Sequence, residues 1–98
     1  MEKRIAHYHL TMVHALLAEG KVGATGAALA GAAALDVDFE GMKVAVAALT
    51  VRNFYKSMTT HADHRIWQDV YHTAVGDAEV YVKLTVVDGV LIVSFKEL

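Results

Sequence analysis

The stretch Glu79-Val80-Tyr81-Val82-Lys83-Leu84-Thr85-Val86-Val87-Asp88-Gly89-Val90-Leu91-Ile92-Val93-Ser94-Phe95-Lys96-Glu97 decides the fold. Its residues are β-branched, aromatic or long apolar types in a period of two, and Asp88-Gly89 is the pair that a tight hairpin turn favours. The spacing predicts antiparallel strands over Glu79–Val87 and Val90–Glu97, joined by a two-residue turn. With Val87 opposite Val90, every facing pair of residue numbers sums to 177. One face then carries Val82 opposite Phe95, Leu84 opposite Val93 and Val86 opposite Leu91. That face is apolar and is expected to meet the core. The other face pairs Tyr81 with Lys96, Lys83 with Ser94 and Thr85 with Ile92. Opposed Cβ atoms lie about 4.5–5.5 Å apart, so Tyr81 and Lys96 are expected to be neighbours. Tyrosine and lysine are also the ordinary furniture of a solvated face, and periodicity alone favours that plainer reading.

Upstream, the same period marks Phe54–Thr59 and Ile66–Thr73 as strands, with the polar connection Thr60–Arg65 between them and a turn at Gly76-Asp77. An odd register sum brings Gln68, with Ile66, Val70 and His72, to the face of Tyr81. An even sum brings Trp67, Asp69 and Tyr71 there instead, and both faces of this strand are too mixed to decide. In the first strand Lys56 is expected to share a face with Phe54 and Met58, and Tyr55 with Ser57. The segment Ala6–Leu10 is a candidate short edge strand.

The first half reads as helix, because thirteen of the sixteen alanines lie in residues 1–50. One helix is expected over Thr11–Glu19, with Thr11 as N-cap and Gly20 just past its end. A second follows the cap residue Thr25 and ends near Leu35. It is weakened by Gly26 and Gly31, each costing about 1 kcal/mol against Ala. A third opens at Asp38 and runs through Met42, Val46 and Leu49. Helices followed by a meander of strands give an α+β class: two to three N-terminal helices on a twisted, mainly antiparallel sheet of about four strands, in a single domain spanning residues 1–98.

Composition bounds the function. Of 98 residues, 55% are hydrophobic and 20% charged, which excludes a disordered chain. Cysteine is absent, so disulfides, thiolate zinc sites and thiol nucleophiles are excluded together. The longest apolar run, Val22–Leu35, is fourteen residues broken by Thr25, and a membrane span needs about 20. The charged opening Met1-Glu2-Lys3-Arg4 has no apolar stretch behind it, so a cytoplasmic protein without targeting segment or membrane association is expected. Net charge is −2, spread evenly as four basic against five acidic residues in 1–51 and five against six in 52–98. Neither half carries the basic footprint usual for nucleic-acid binding.

Six histidines invite a metal or acid–base proposal. His61, Asp63, His64 and His72 could gather near one loop, and His7 and His9 would share one side of a strand. No zinc spacing is present, and solvated loop histidines are the commoner outcome. His64 and His72 are the better candidates for a proton shuttle or phosphate contact. Trp67 reads as core rather than as a base-stacking platform. Tyr55 adjoins Lys56 and is balanced between packing and contact with a ligand, as is Met58.

The segments Asn53-Phe54-Tyr55-Lys56-Ser57-Met58-Thr59-Thr60, Asp63-His64, Ile66-Trp67-Gln68-Asp69-Val70-Tyr71, Val80-Tyr81 and Val90-Leu91-Ile92-Val93-Ser94-Phe95-Lys96-Glu97 resemble the MqsR toxins of bacterial toxin–antitoxin pairs. So do Met1-Glu2-Lys3-Arg4, His7 and Asp38-Phe39-Glu40-Gly41-Met42. The resemblance spans the chain in outline, is dense from Asn53 onward and is thin between Lys21 and Ala34. It implies a RelE- and YoeB-like fold and an mRNA interferase, an endoribonuclease that cuts at GC-containing sites with neither metal nor other cofactor. It implies Lys56, Gln68, Tyr81 and Lys96 as catalytic positions. Beside these, the residue types and their expected placement make Tyr55, Met58, Lys83, His64 and His72 the further candidates for RNA contact. The implied partners are mRNA, free or on the ribosome, and a cognate antitoxin resembling MqsA, with no direct DNA binding. The Gly23–Ala34 segment departs from the family by carrying small apolar residues where longer polar ones stand. It motivates the alternative of a catalytically weak, antitoxin-binding module that keeps the fold.

Overall fold

The computed structural model describes residues 1–98. In chain order the elements are β1 (Glu2–Lys3), α1 (Leu10–Ala18), β2 (Val22–Ala24), α2 (Gly26–Ala33), α3 (Phe39–Ala47), a 3₁₀ turn (Val51–Asn53), β3 (Phe54–Thr59), β4 (Trp67–Val75), β5 (Ala78–Val86) and β6 (Val90–Glu97). The class is α+β, as the alternation and the alanine distribution predict. The sheet has six strands rather than about four, in the order β1-β3-β4-β5-β6-β2. The additional two are short edges: β1 runs antiparallel to β3, and β2 runs parallel to β6. Neither carries enough alternating residues to be seen in the sequence. The expected edge strand at Ala6–Leu10 does not form. Its residues lead into α1, and its place on that edge belongs to β1.

All three helices contribute to one core with β4, β5 and β6. Its fully buried members include Val13 of α1, Ala28 and Ala32 of α2, Met42 and Val46 of α3, and Tyr71, Val80, Val82, Leu84, Ile92 and Phe95 of the sheet. Local chemistry sets the helix ends. Thr25 caps α2 by accepting from the Ala28 N–H at 3.1 Å, and Asp38 caps α3 by accepting from the Gly41 N–H at 2.8 Å. Helix α1 starts earlier than expected: His9 rather than Thr11 holds the N-cap position and gives no side-chain cap. At its other end Gly20, at φ 75°, turns left-handed. The Gly20 and Lys21 N–H groups there bond back to Leu17 and Leu16 carbonyls, both at 2.9 Å.

Two one-residue irregularities shape the final hairpin. Val86, not Val87, faces Val90, so the loop is Val87-Asp88-Gly89, with Asp88 at φ 57°. A bulge then leaves Val93 unpaired between the pairs Lys83–Ser94 and Leu84–Ile92. Ile92 therefore points into the core, fully buried, and the expected pairings of Leu84 with Val93, Thr85 with Ile92 and Val86 with Leu91 fail. The bulge has a cause. Thr25 donates its hydroxyl to the Val93 carbonyl at 2.9 Å, while its backbone N–H bonds to the Ile92 carbonyl at 3.0 Å. Beyond the bulge the offsets cancel, and Tyr81 faces Lys96 and Val82 faces Phe95 as expected.

Candidate active site

The face of the sheet away from the helices presents its side chains in three rows. Met58 and Gln68 form the first, Lys56, Val70, Lys83 and Ser94 the second, and His72, Tyr81 and Lys96 the third. Successive rows are two residues, or about 7 Å, apart. The β4–β5 pairing, His72 with Tyr81 and Val70 with Lys83, has the odd sum that brings Gln68 onto this face. Asp69 correspondingly lies on the other side. It is fully buried, and its carboxylate accepts the His7 and Tyr8 N–H groups at 3.0 and 2.9 Å.

Tyr55 is placed by a second bulge. The β3–β4 register shifts between Phe54 and Lys56, so Phe54 pairs with Tyr71 on the core side while Lys56 pairs with Val70 on the outer face. The expectation that Lys56 shares a face with Phe54, and Tyr55 with Ser57, is thus overturned. Phe54 packs edge-on against Tyr71 at 5.6 Å. Tyr55, half exposed, stacks on His72 with ring centroids 4.2 Å apart and planes at 18°. His72 continues the row toward Tyr81 at 5.9 Å, and Lys96 Nζ stands 5.2 Å from the Tyr81 ring centre, within cation–π range.

Three lysines share this face. Val70, fully buried on it, is paired with Lys56 on one side and with Lys83 on the other. Burial, followed by repulsion from Lys96 and Lys56, pushes the Lys83 amine below its ordinary pKa. Lys56 is shifted the other way, chiefly by its hydrogen bond to the Glu2 carboxylate at 2.5 Å. Burial pushes the Tyr81 phenol up, and the nearby Lys56 charge offsets that only in part. Tyr81 is therefore a protonated phenol at neutral pH, able to donate a hydrogen bond or a proton. Gln68 sits diagonally beside Lys56, and its side-chain amide makes no hydrogen bond within the protein.

Of the residues singled out in the sequence, Lys56, Tyr81, Lys96, Lys83, Tyr55 and His72 come together, with Gln68 and Met58 one row beyond Lys56. His64 does not join them: it is exposed in the 60–66 connection, beside the Asp63–Arg65 ion pair. His61 is exposed in the same connection while His72 belongs to the sheet face, so these histidines do not gather, in keeping with the commoner outcome of solvated loop histidines. His14 instead bonds through Nε2 to the Val46 carbonyl at 2.9 Å, tying α1 to α3. Trp67 lies outside the buried core. Its ring is covered by His7, stacked at 5.4 Å, and by Lys3 Nζ at 4.0 Å. Glu2 and Arg4 were not found by sequence reasoning. Arg4 donates to the Tyr55 carbonyl at 3.3 Å and lies 5.5 Å from the Tyr55 ring centre. Only the two-residue pairing of β1 with β3 places them, and a strand that short has no periodic signal.

Residues 5–97 match the family model described as "Motility quorum-sensing regulator, toxin of MqsA". The chain is also 50% identical over 97 residues to the mRNA interferase toxin MqsR of Escherichia coli (strain K12), covering 99% of each. With a match along nearly the whole chain, and with the rows of β3 to β6 assembled as described, this protein belongs to the MqsR toxin family.

Proposed function

We propose that this protein is an mRNA interferase toxin of a type II toxin–antitoxin system, a metal-independent endoribonuclease that cuts mRNA at GC-containing sites. Residues 1–98 form the single catalytic unit, acting in the cytoplasm and inhibiting translation and growth. One observation carries the proposal: three lysine amines and a protonated phenol share one open sheet face, with an aromatic stack beside them.

The reaction is attack of an RNA 2′-oxygen on the adjacent phosphorus. A 2′-O–P bond forms, the P–O5′ bond breaks, the 2′-hydroxyl proton passes to a water molecule, and the departing 5′-oxygen takes up a proton from Tyr81, which solvent then reprotonates. The products are a 2′,3′-cyclic phosphate and a 5′-hydroxyl. Lys56 and Lys96 hold the phosphate and stabilise the charge that builds on its oxygens. Lys83 adds a third positive charge between them, and an arriving phosphate relieves the repulsion that depresses its pKa. Tyr81, kept protonated by burial, hands its proton to the 5′-oxygen. Gln68 orients ribose or phosphate through its free amide. The exposed ring of Tyr55, backed by His72, offers a stacking surface for a base, and Met58, in the first row beside Gln68, is a further contact for the RNA.

The test is cleavage of single-stranded RNA rich in GC-containing trinucleotides. Tyr81→Phe and Lys56→Ala are each expected to lower the rate by about 10²-fold or more while leaving thermal unfolding two-state. Full activity in both removes the assignment.

The activity is held in check by a partner antitoxin resembling MqsA. The alternative, an antitoxin-binding module that cuts RNA poorly, is favoured by the absence of any basic side chain in α2. Expression of the gene alone in bacteria separates the two. Growth arrest reversed by the antitoxin supports the enzyme, and unimpaired growth with antitoxin binding intact supports the module.

A further inference from the structure

The ion pair between Glu2 and Lys56 puts a carboxylate at the place where the proposed reaction needs a phosphate. Glu2 is held there by backbone. It pairs with Met58 across β1 and β3, and five residues on the chain is tied down again by the bonds from the His7 and Tyr8 N–H groups to buried Asp69. Its side chain is 52% exposed while that of Lys56 is 23% exposed, so the carboxylate covers the ammonium from the solvent side. Glu2 is set among cationic groups, since Lys56 touches it, Arg4 follows just past the end of β1, and Lys83 and Lys96 lie across the face. The sheet face's other carboxylate, Glu79, pairs with Ala74 at the far end of β4 and β5.

We propose that Glu2 is an intramolecular stand-in for the RNA phosphate: it occupies Lys56 in the free protein, and substrate must displace it. The role assigned to Glu2 rests on the RNA-cleaving function proposed above. A phosphate and a carboxylate on one ammonium repel each other, so the pair subtracts from affinity. It also cancels one positive charge before binding, which lowers the number of phosphates effectively neutralised by one. Glu2 thereby sets affinity and salt dependence, while the chemistry stays with Lys56, Tyr81 and Lys96.

The experiment measures fluorescence-anisotropy binding of a 2′-O-methylated single-stranded RNA, which cannot be cut, and cleavage of the same RNA with free 2′-hydroxyls. The proteins are wild type, Glu2→Gln, Lys56→Gln and the double variant. Glu2→Gln is expected to tighten binding about three- to tenfold. It is also expected to steepen the plot of log affinity against log salt by about 0.7, the increment for one single-strand phosphate contact. In the Lys56→Gln background the same change is expected to have no effect beyond about twofold, which separates a specific pair from general charge. Equal tightening in both backgrounds, or none in either, overturns the role of Glu2. A loss of cleavage rate in Glu2→Gln with unchanged affinity also overturns it, in favour of a carboxylate that positions Lys56. Wild-type protein that neither binds nor cuts overturns the proposed function itself.

Discussion

At the residue scale, the expected pairing of Tyr81 with Lys96 holds because two one-residue departures cancel: the loop takes three residues instead of two, and the bulge at Val93 restores the register beyond it. Lys56 and Tyr55 were harder. A bulge of one residue exchanges the faces of everything on one side of it, and no side chain in Phe54-Tyr55-Lys56 announces that exchange. Lys83 illustrates how the site departs from the best-folding sequence. Its folded pKa is depressed, so in the window just below the ordinary lysine value the unfolded chain binds more protons and stability rises with pH. At neutral pH the charged amine is therefore held at the expense of stability. Lys83→Met is expected to raise Tm at pH 7, with the gain shrinking as pH approaches the lysine range, and to weaken RNA cleavage. Melting curves across that range check the first part and a cleavage assay the second. A lower Tm at pH 7 would contradict the burial argument.

At the element scale, the Ala/Gly segment changes meaning between sequence and structure. Read alone, it is a weak helix that departs from the family. Folded, it is a helix that lies against β6, with Ala28 and Ala32 fully buried and Gly31 over the strand backbone. A Cβ at Gly31 would stand 2.1 Å from the Phe95 carbonyl oxygen and 3.4 Å from the Lys96 Cβ. Small residues here permit the approach that puts β6, and with it Lys96, in place. Gly31→Ala gains about 1 kcal/mol of helix propensity. It is nonetheless expected to destabilise the protein by about 1–3 kcal/mol, because a carbonyl oxygen held in a sheet cannot move aside. Urea unfolding measures this, and cleavage is expected to fall with it through displacement of Lys96. The two edge strands were not legible for a different reason: β1 and β2 have two and three residues, too few for a period, and exist because β3 and β6 offer open edges.

At the scale of the whole molecule, a net charge of −2 argues against nucleic-acid binding only if charge is averaged. The sheet divides it. Asp69 is buried on the core side, Asp63 is bound to Arg65 in a connection, and Lys56, Lys83 and Lys96 share the open face. The helices cover the opposite face with an apolar core, so the fold leaves one face for chemistry. The functional class was legible because long uninterrupted segments carry the family's pattern. The Glu2–Lys56 pair was not, because it joins residues 54 positions apart through an edge no pattern reveals.

The central claim is tested most directly by mapping the 5′ ends of RNA cut by purified protein in EDTA, with Tyr81→Phe in parallel. The account predicts cleavage within GC-containing trinucleotides, 5′-hydroxyl and 2′,3′-cyclic phosphate ends, no change on adding chelator, and near-complete loss in Tyr81→Phe. Cleavage that stops in EDTA, or that survives intact in Tyr81→Phe, would contradict it.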